Sequence, residues 1–269
     1  MTLHADVIGD PIAQSKSPVM HNFWLEKLGI DARYERRHIV DRELPDYILR
    51  SAENENWRGC NITMPHKIAV MDLVADPGDV RGTIGAMNTI FRMDDGSLMG
   101  TNTDAAGFMA PIADRDWPGS HAVIIGAGGA ARAVLFALKQ SGVEWITILA
   151  RNQLKAMGML SSFGMKGDVL AMDAPVPKAD LVVNASPLGM VGKGPLEIDL
   201  DPLPGTALVY DIVYNPIETD LLKAARARDL DAVDGLDMFI GQAALAFELF
   251  FGASPPDDCE DELRAKLLA

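Results

Sequence analysis

AVIIGAGGAAR, Ala122 to Arg132, decides how the chain is read. Three β-branched residues, Val123 to Ile125, run into Gly126, Gly128 and Gly129, and an alanine- and leucine-rich segment, Ala130 to Leu138, follows at once. Strand, glycine turn and helix form the entry to a nucleotide-binding crossover. Glycine lets the backbone approach a pyrophosphate, and the new helix points its unpaired N–H groups and positive dipole end at the charge. A tight strand-to-helix turn with no ligand is the alternative. The motif lies mid-chain, with more than 120 residues before it.

Downstream, apolar strands are expected at 122–126, 145–150, 168–172, 180–185 and 207–213, with helices at 130–141, 153–162 and 217–228 between most of them. Such alternation implies a parallel sheet with helices on its faces. Pro187, Gly189, Gly192, Gly194 and Pro195 mark a long loop after the fourth strand. A helix at 237–251 is too apolar for a solvated surface and should pack on something, and a short amphipathic helix is expected over 257–269. In a Rossmann unit, an acid past the second strand holds the ribose of NAD, and a basic residue there accommodates the 2′-phosphate of NADP. Here that corner reads Arg151-Asn152-Gln153 with Lys155 close behind and no acid, which favours NADP(H).

Upstream, residues 5–9 read as a buried strand, and Ser17-Pro18 as a helix start with Ser17 at the N-cap. Ser15, Lys16 and Ser17 together also suit a carboxylate, as two hydroxyls, an ammonium and helix amides. Residues 32–40 look like an exposed strand and 44–52 like a helix. A strand from Cys60 to Met64 puts Asn61 and Thr63 on one face. His66-Lys67 is expected to open a helix through Leu73, where a lysine opposes the helix dipole and so hints at another role. Residues 82–91 read as a glycine turn and strand, followed by a hairpin at Asp94-Asp95-Gly96. Asn88 and Asp104 are polar within apolar surroundings, and turn or cap chemistry explains them equally well.

The 269 residues suffice for one large domain or two ordinary ones. A net charge of −14 argues against a nucleic-acid partner. No stretch approaches a membrane span and the N-terminus lacks a secretion signal, so a cytoplasmic location is expected. Cys60 and Cys259, far apart, and five histidines without ligand spacing suggest neither a disulfide framework nor a metal.

Ser15-Lys16-Ser17, Asn61 to Lys67, Gly85 to Thr89, Asn102 to Asp104, the glycine turn and Gly241-Gln242-Ala243 occur in an order that resembles the shikimate dehydrogenase family. The resemblance runs from about residue 7 to residue 251. It implies an α/β fold with an N-terminal α/β substrate domain, residues 1–104 completed by C-terminal helices 237–269. A Rossmann-like NADP-binding domain, 105–236, would follow, with a cleft between the two. It implies NADPH-dependent, reversible reduction of 3-dehydroshikimate to shikimate, an anionic cyclohexene polyol, by a monomer or homodimer. Lys67 and Asp104 would be catalytic. Ser15 and Ser17 would bind the carboxylate, Tyr214 would lie near it, and Asn61, Thr63, Asn88 and Gln242 would hold the rest of the substrate. Gly126, Ala127, Gly128, Gly129, Ala130, Arg151, Asn152 and Lys155 would bind NADP, with Ile212 and Gly235 against the nicotinamide. The chain departs from the family pattern at Ala150, Asn152, Lys155 and Pro187. Quinate or aminoshikimate dehydrogenase paralogues, and a non-catalytic NADP-binding sensor on the same scaffold, are the alternatives.

Overall fold

The computed structural model describes residues 2–256 and 258–268. In chain order the first elements are β1 (Leu3–Gly9), α1 (Ser17–Leu28), β2 (Ala32–His38), α2 (Leu44–Ala52), β3 (Trp57–Ile62), α3 (Val80–Thr83), β4 (Thr89–Arg92) and β5 (Leu98–Thr101). Next come α4 (Asp104–Met109), β6 (His121–Ile125), α5 (Gly129–Gln140), β7 (Trp145–Ala150), α6 (Gln153–Ser162), β8 (Lys166–Ala171) and β9 (Leu181–Asn184). The last are β10 (Leu208–Asp211), α7 (Asp220–Arg226), β11 (Asp231–Val233), α8 (Gly235–Phe251) and α9 (Glu260–Leu268). The chain divides into two compact units. One holds the residues up to Thr103 and those from Gln242 onward, and the other holds Asp104–Gly241.

The first unit is built on a sheet in the order β2-β1-β3-β4-β5. Helical crossovers α1 and α2 make β2, β1 and β3 parallel, while β4 pairs antiparallel with β3 and β5 antiparallel with β4. A tight turn joins β4 to β5, with Met93 N–H donating to Ser97 O at 2.9 Å and Gly96 at φ +86°. The apolar helix α8 finds its partner here: Ala246 and Phe250 pack with Ala5, Val7 and Tyr34. Gly59 of β3 has no room for a side chain, since a Cβ would collide with the Ile90 carbonyl and come within 2.6 Å of the Phe250 ring.

The second unit is an all-parallel sheet, β11-β10-β9-β6-β7-β8, the doubly wound order that reverses between β6 and β9. Five of its six strands and its helices lie within a few residues of the positions expected from periodicity; the sixth, the short edge strand β11, is not among those expected. Two of its five crossovers, β8 to β9 and β9 to β10, contain no helix. Loop residues Val176, Leu196, Leu200 and Leu203 bury themselves against Val182 and Val209 instead, so apolar loop side chains cover the sheet where helices are missing.

Three local expectations are overturned. Residues 64–68 form a turn, and only a 3-10 turn, Ala69–Asp72, follows. The Lys67 carbonyl accepts a bond from Met87 N–H at 2.7 Å, which takes it out of any helical ladder. Lys67 therefore opposes no helix dipole. The N-cap of α1 is Lys16, and Ser17 is the first helical residue. β3 ends at Ile62, so Thr63 lies beyond the strand that carries Asn61.

His21 on α1 is fully buried, stacked on Tyr34 at 3.9 Å and edged by Trp24. Burial lowers its pKa from 6.5 to about 3, so the folded protein holds it neutral. An unfolded chain takes up this proton below its ordinary pKa, and the folded one does not. The stability His21 contributes is complete above pH 6.5 and is lost as pH falls from there towards about 3. Replacing His21 with Phe should flatten the acid limb of the stability curve in that window. Urea unfolding followed across pH checks this, and an unchanged acid limb in the variant would refute it.

Candidate active site

In the first unit a chain of buried polar side chains runs across the sheet. Asn61 and Thr89 face each other across β3 and β4. The Tyr34 hydroxyl donates to Asn61 Oδ1 at 2.6 Å, and burial pushes that phenol well up, which keeps it a donor. Asn61 Nδ2 is thereby aimed at Thr89 Oγ1, 3.1 Å away, and at the Asn88 carbonyl, 3.4 Å away. Asn88 is the hub. Its Oδ1 accepts from Thr103 N–H at 2.8 Å and Thr89 Oγ1 at 3.0 Å. Its Nδ2 donates to Thr103 Oγ1 at 2.9 Å and Gln242 Oε1 at 3.5 Å.

Ser15 and Ser17 are buried and adjoin, their hydroxyls 3.2 Å apart. Ser15 Oγ accepts from Ser17 N–H at 3.3 Å, so Ser15, not Ser17, serves the helix start. Arg36 Nε holds the Ser15 carbonyl at 2.6 Å. Lys16 does not join the pair: its Nζ donates to the Leu267 carbonyl at 2.5 Å, at the end of α9. Half-buried Lys67 and Thr63 occupy the turn after β3.

In the second unit Gly126 (φ +111°) ends β6, and a Cβ there would stand 2.9 Å from the Ala185 carbonyl and 3.2 Å from Ser186 Cβ. Gly128 is the N-cap of α5, and no side chain caps that helix. The amides of Gly129, Ala130 and Ala131 precede the first intrahelical donor, Arg132 N–H. Close backbone packing and uncapped amides fit a pyrophosphate, with Ala127 inside the turn. At the end of β7, Arg151 is exposed, with no bond or ion pair among the described residues. Asn152 Oδ1 caps α6 by accepting from Lys155 N–H at 3.0 Å. Ile212 and Gly235 meet: a Cβ on Gly235 would collide with the Ile212 carbonyl. The half-buried Tyr214 ring stacks on Phe239 at 4.2 Å. Asp104 is buried at the start of α4. Among the described residues no group of three or more His, Cys, Asp or Glu could hold a metal ion, and no helix is long and apolar enough to cross a membrane.

Several contributors carry weaker sequence signals. Tyr34 is the buried polar aromatic of a charged strand, and Asp211 is a charge closing the apolar strand LVYD. Thr89 and Thr103 stand inside motifs already singled out. Their roles depend on pairing between segments, which local pattern does not reveal.

Together these features define a two-unit α/β protein with a doubly wound nucleotide-binding sheet. The family model for the shikimate dehydrogenase substrate binding domain matches residues 7–90, and that for the shikimate 5'-dehydrogenase C-terminal domain matches 235–259. The chain is 63% identical over 265 residues to a shikimate dehydrogenase (NADP(+)) of Sphingopyxis alaskensis, covering 98% of this chain and 97% of that protein. A shikimate 5-dehydrogenase of Thermus thermophilus, solved with NADP(H) and shikimate, aligns with a TM-score of 0.85 at 33% identity, covering 99% of this chain and 100% of that one. The ligand-free 5-ketofructose reductase of Gluconobacter sp. strain CHM43 aligns with a TM-score of 0.87 at 28% identity, covering 100% and 98%. The chain belongs to the shikimate dehydrogenase family.

Asn88→Ala should leave the Thr103 amide and two threonine hydroxyls without their buried partner. The expected cost is about 3 kcal/mol, since several buried groups lose their bonds at once. Urea unfolding of the full chain measures it, and a loss under about 1 kcal/mol would remove Asn88 from the centre of the network.

Proposed function

We propose that the chain is an NADP-dependent shikimate dehydrogenase, interconverting 3-dehydroshikimate and shikimate. The observation that carries this reading is the 63% identity, over nearly the whole length of both chains, to a shikimate dehydrogenase (NADP(+)). In the reductive direction bound NADPH supplies a hydride to the ketone carbon. The ketone oxygen then gains negative charge and needs a proton or a cation. We assign Lys67 to that oxygen and Asp104 as the second acid–base group. The hydroxyls of Ser15 and Ser17 are assigned to the substrate carboxylate, with Tyr214 near it. Thr63, Asn88 and Gln242 are assigned to the ring oxygens. Asn61, whose amide is spent mainly on Tyr34, Thr89 and the Asn88 carbonyl, acts on the substrate through Asn88.

The glycine turn 126–130 is assigned to the pyrophosphate, and Arg151 with Asn152 and Lys155 to the ribose 2′-phosphate. The exposure of Arg151 and the lack of an acid at that corner support NADP over NAD. Ile212 and Gly235 are assigned to the nicotinamide. Two buried cysteines, Cys60 and Cys259, that form no disulfide among the described residues suit a cytoplasmic setting.

Initial rates with shikimate, quinate and D-fructose, the alcohol that oxidation would convert to 5-ketofructose, each with NADP and NAD, test the substrate and cofactor. Shikimate with NADP should be fastest. Turnover of quinate or fructose without shikimate would overturn the substrate while keeping the enzyme class. NADP binding with no turnover on any of them would leave a sensor. Lys67→Ala should lower kcat about a hundredfold or more with an unchanged melting temperature, and a near-normal rate would refute the assignment. Arg151→Ala should narrow the preference for NADP, read as the ratio of kcat/KM values for the two cofactors.

A further inference from the structure

Asp211, the last residue of β10, is wholly buried. Among the described residues no lysine or arginine pairs with it. Its Oδ1 accepts from Asn184 Nδ2 at 2.9 Å and from Val213 N–H at 3.0 Å, and its Oδ2 accepts from Thr219 Oγ1 at 2.7 Å. Each donor belongs to a different segment. Asn184 ends β9, Val213 lies just past β10, and Thr219 is the N-cap of α7. Asn184 passes the restraint on: its Oδ1 accepts from Ser186 N–H at 3.0 Å and Ser186 Oγ at 2.7 Å. Its Nδ2 also reaches the Leu188 carbonyl at 3.0 Å.

These tethered segments are the ones pressed against two glycines. Ala185 and Ser186 crowd Gly126, and the carbonyl of Ile212, next to Val213, crowds Gly235. One carboxylate thus fixes both walls, the turn after β9 and the turn after β10. Burial pushes the Asp211 carboxyl up, and its bonds from Thr219, Val213 and Asn184 pull it back. A purely structural filler of this volume would be cheaper as an apolar side chain, because an unpaired buried charge is costly. What a carboxylate adds is two acceptor oxygens that take three donors from three segments at once.

We propose that Asp211 is a positioning residue for cofactor binding, bracing the turns at 184–188 and 212–213 so that Gly126 and Gly235 present the nucleotide-binding backbone in one fixed arrangement. This rests on the reading that the second unit takes NADP. Asp211→Ala, Asp211→Asn and Thr219→Val are made in the full chain and compared well below their melting temperatures. Each is measured for NADP+ affinity by calorimetry, for shikimate KM, and for kcat.

Asp211→Ala should weaken NADP+ binding about tenfold or more and lower kcat, because a small displacement of the reacting groups is amplified in rate. Shikimate KM should stay within about twofold, below what losing one hydrogen bond costs. Asp211→Asn should recover most of the affinity, since its oxygen still accepts from Asn184 and Val213 and the Thr219 hydroxyl can turn to accept. A folded Asp211→Ala protein with a lowered melting temperature but unchanged NADP+ affinity would overturn the proposal. Should Asp211→Ala fail to fold, Thr219→Val, which removes the hydroxyl that donates to Oδ2 and caps α7, is expected to weaken NADP+ about threefold, and unchanged affinity there would overturn it equally. If the unsubstituted chain binds NADP+ but does not turn over shikimate, the enzymatic reading fails, while the affinity series still decides the brace.

Discussion

The side chain of Asn88 is almost out of water, and every polar atom it carries must find a partner in the chain. That constraint organises the first unit. The amide sits at the entry to β4 and draws in Thr103 beyond β5 and Gln242 of α8. Its neighbour Met87 holds the Lys67 carbonyl, so the turn that carries Lys67 is anchored beside the same hub. Tyr34, Asn61 and Thr89 complete the line from the edge strand inwards. A buried network of this kind is strong when every member is satisfied, and each missing partner costs more than one ordinary bond. Residues from five segments are therefore held by mutual need for partners rather than by local geometry.

The same distinction separates what the sequence reveals from what it conceals. The second unit could be read strand by strand because apolar runs and a glycine turn are local signals, and β7 and α6 fall on the residues expected. The long loop after β9 was legible from its glycines and prolines, but which loop side chains cover the sheet at the two helix-free crossovers was not, since a few leucines and a valine do it without any periodic pattern. At Lys67 a helical pattern lost to a hydrogen bond from Met87, twenty residues away. At Ser17 the residue type suited a cap, yet Ser15 makes the bond. The chemistry-bearing side chains were legible as types in a specific order. Which of them face a ligand, and which spend their bonds on one another as Asn61 does, is set by strand register.

Two buried carboxylates show how an acidic chain handles charge away from water. Asp6 takes Arg37 on one oxygen, with Tyr47 and Trp57 on the other. Asp211 has neutral donors alone. A cation offsets the charge of Asp6 directly, whereas Asp211 relies on the number and placement of dipoles. The second solution is the more demanding geometrically, since three segments must converge, and it stands where β9 and β10 deliver their turns.

Charge also limits how this chain can recognise the ligands proposed for it. A shikimate-like acid and a dinucleotide phosphate are both anions, and the protein carries −14. Its overall field repels them, so attraction has to be short-ranged. The available groups match that need. They are the paired hydroxyls of Ser15 and Ser17, the uncapped amides at the start of α5, and one exposed guanidinium at Arg151. Lys16, which would be the cation beside the serine pair, is committed to the Leu267 carbonyl. Neutral donors hold an anion only when several converge at hydrogen-bond distance. Recognition on these terms depends on fit, and it makes the rigid placement of turns around Asn88 and Asp211 a condition of binding rather than a detail of packing.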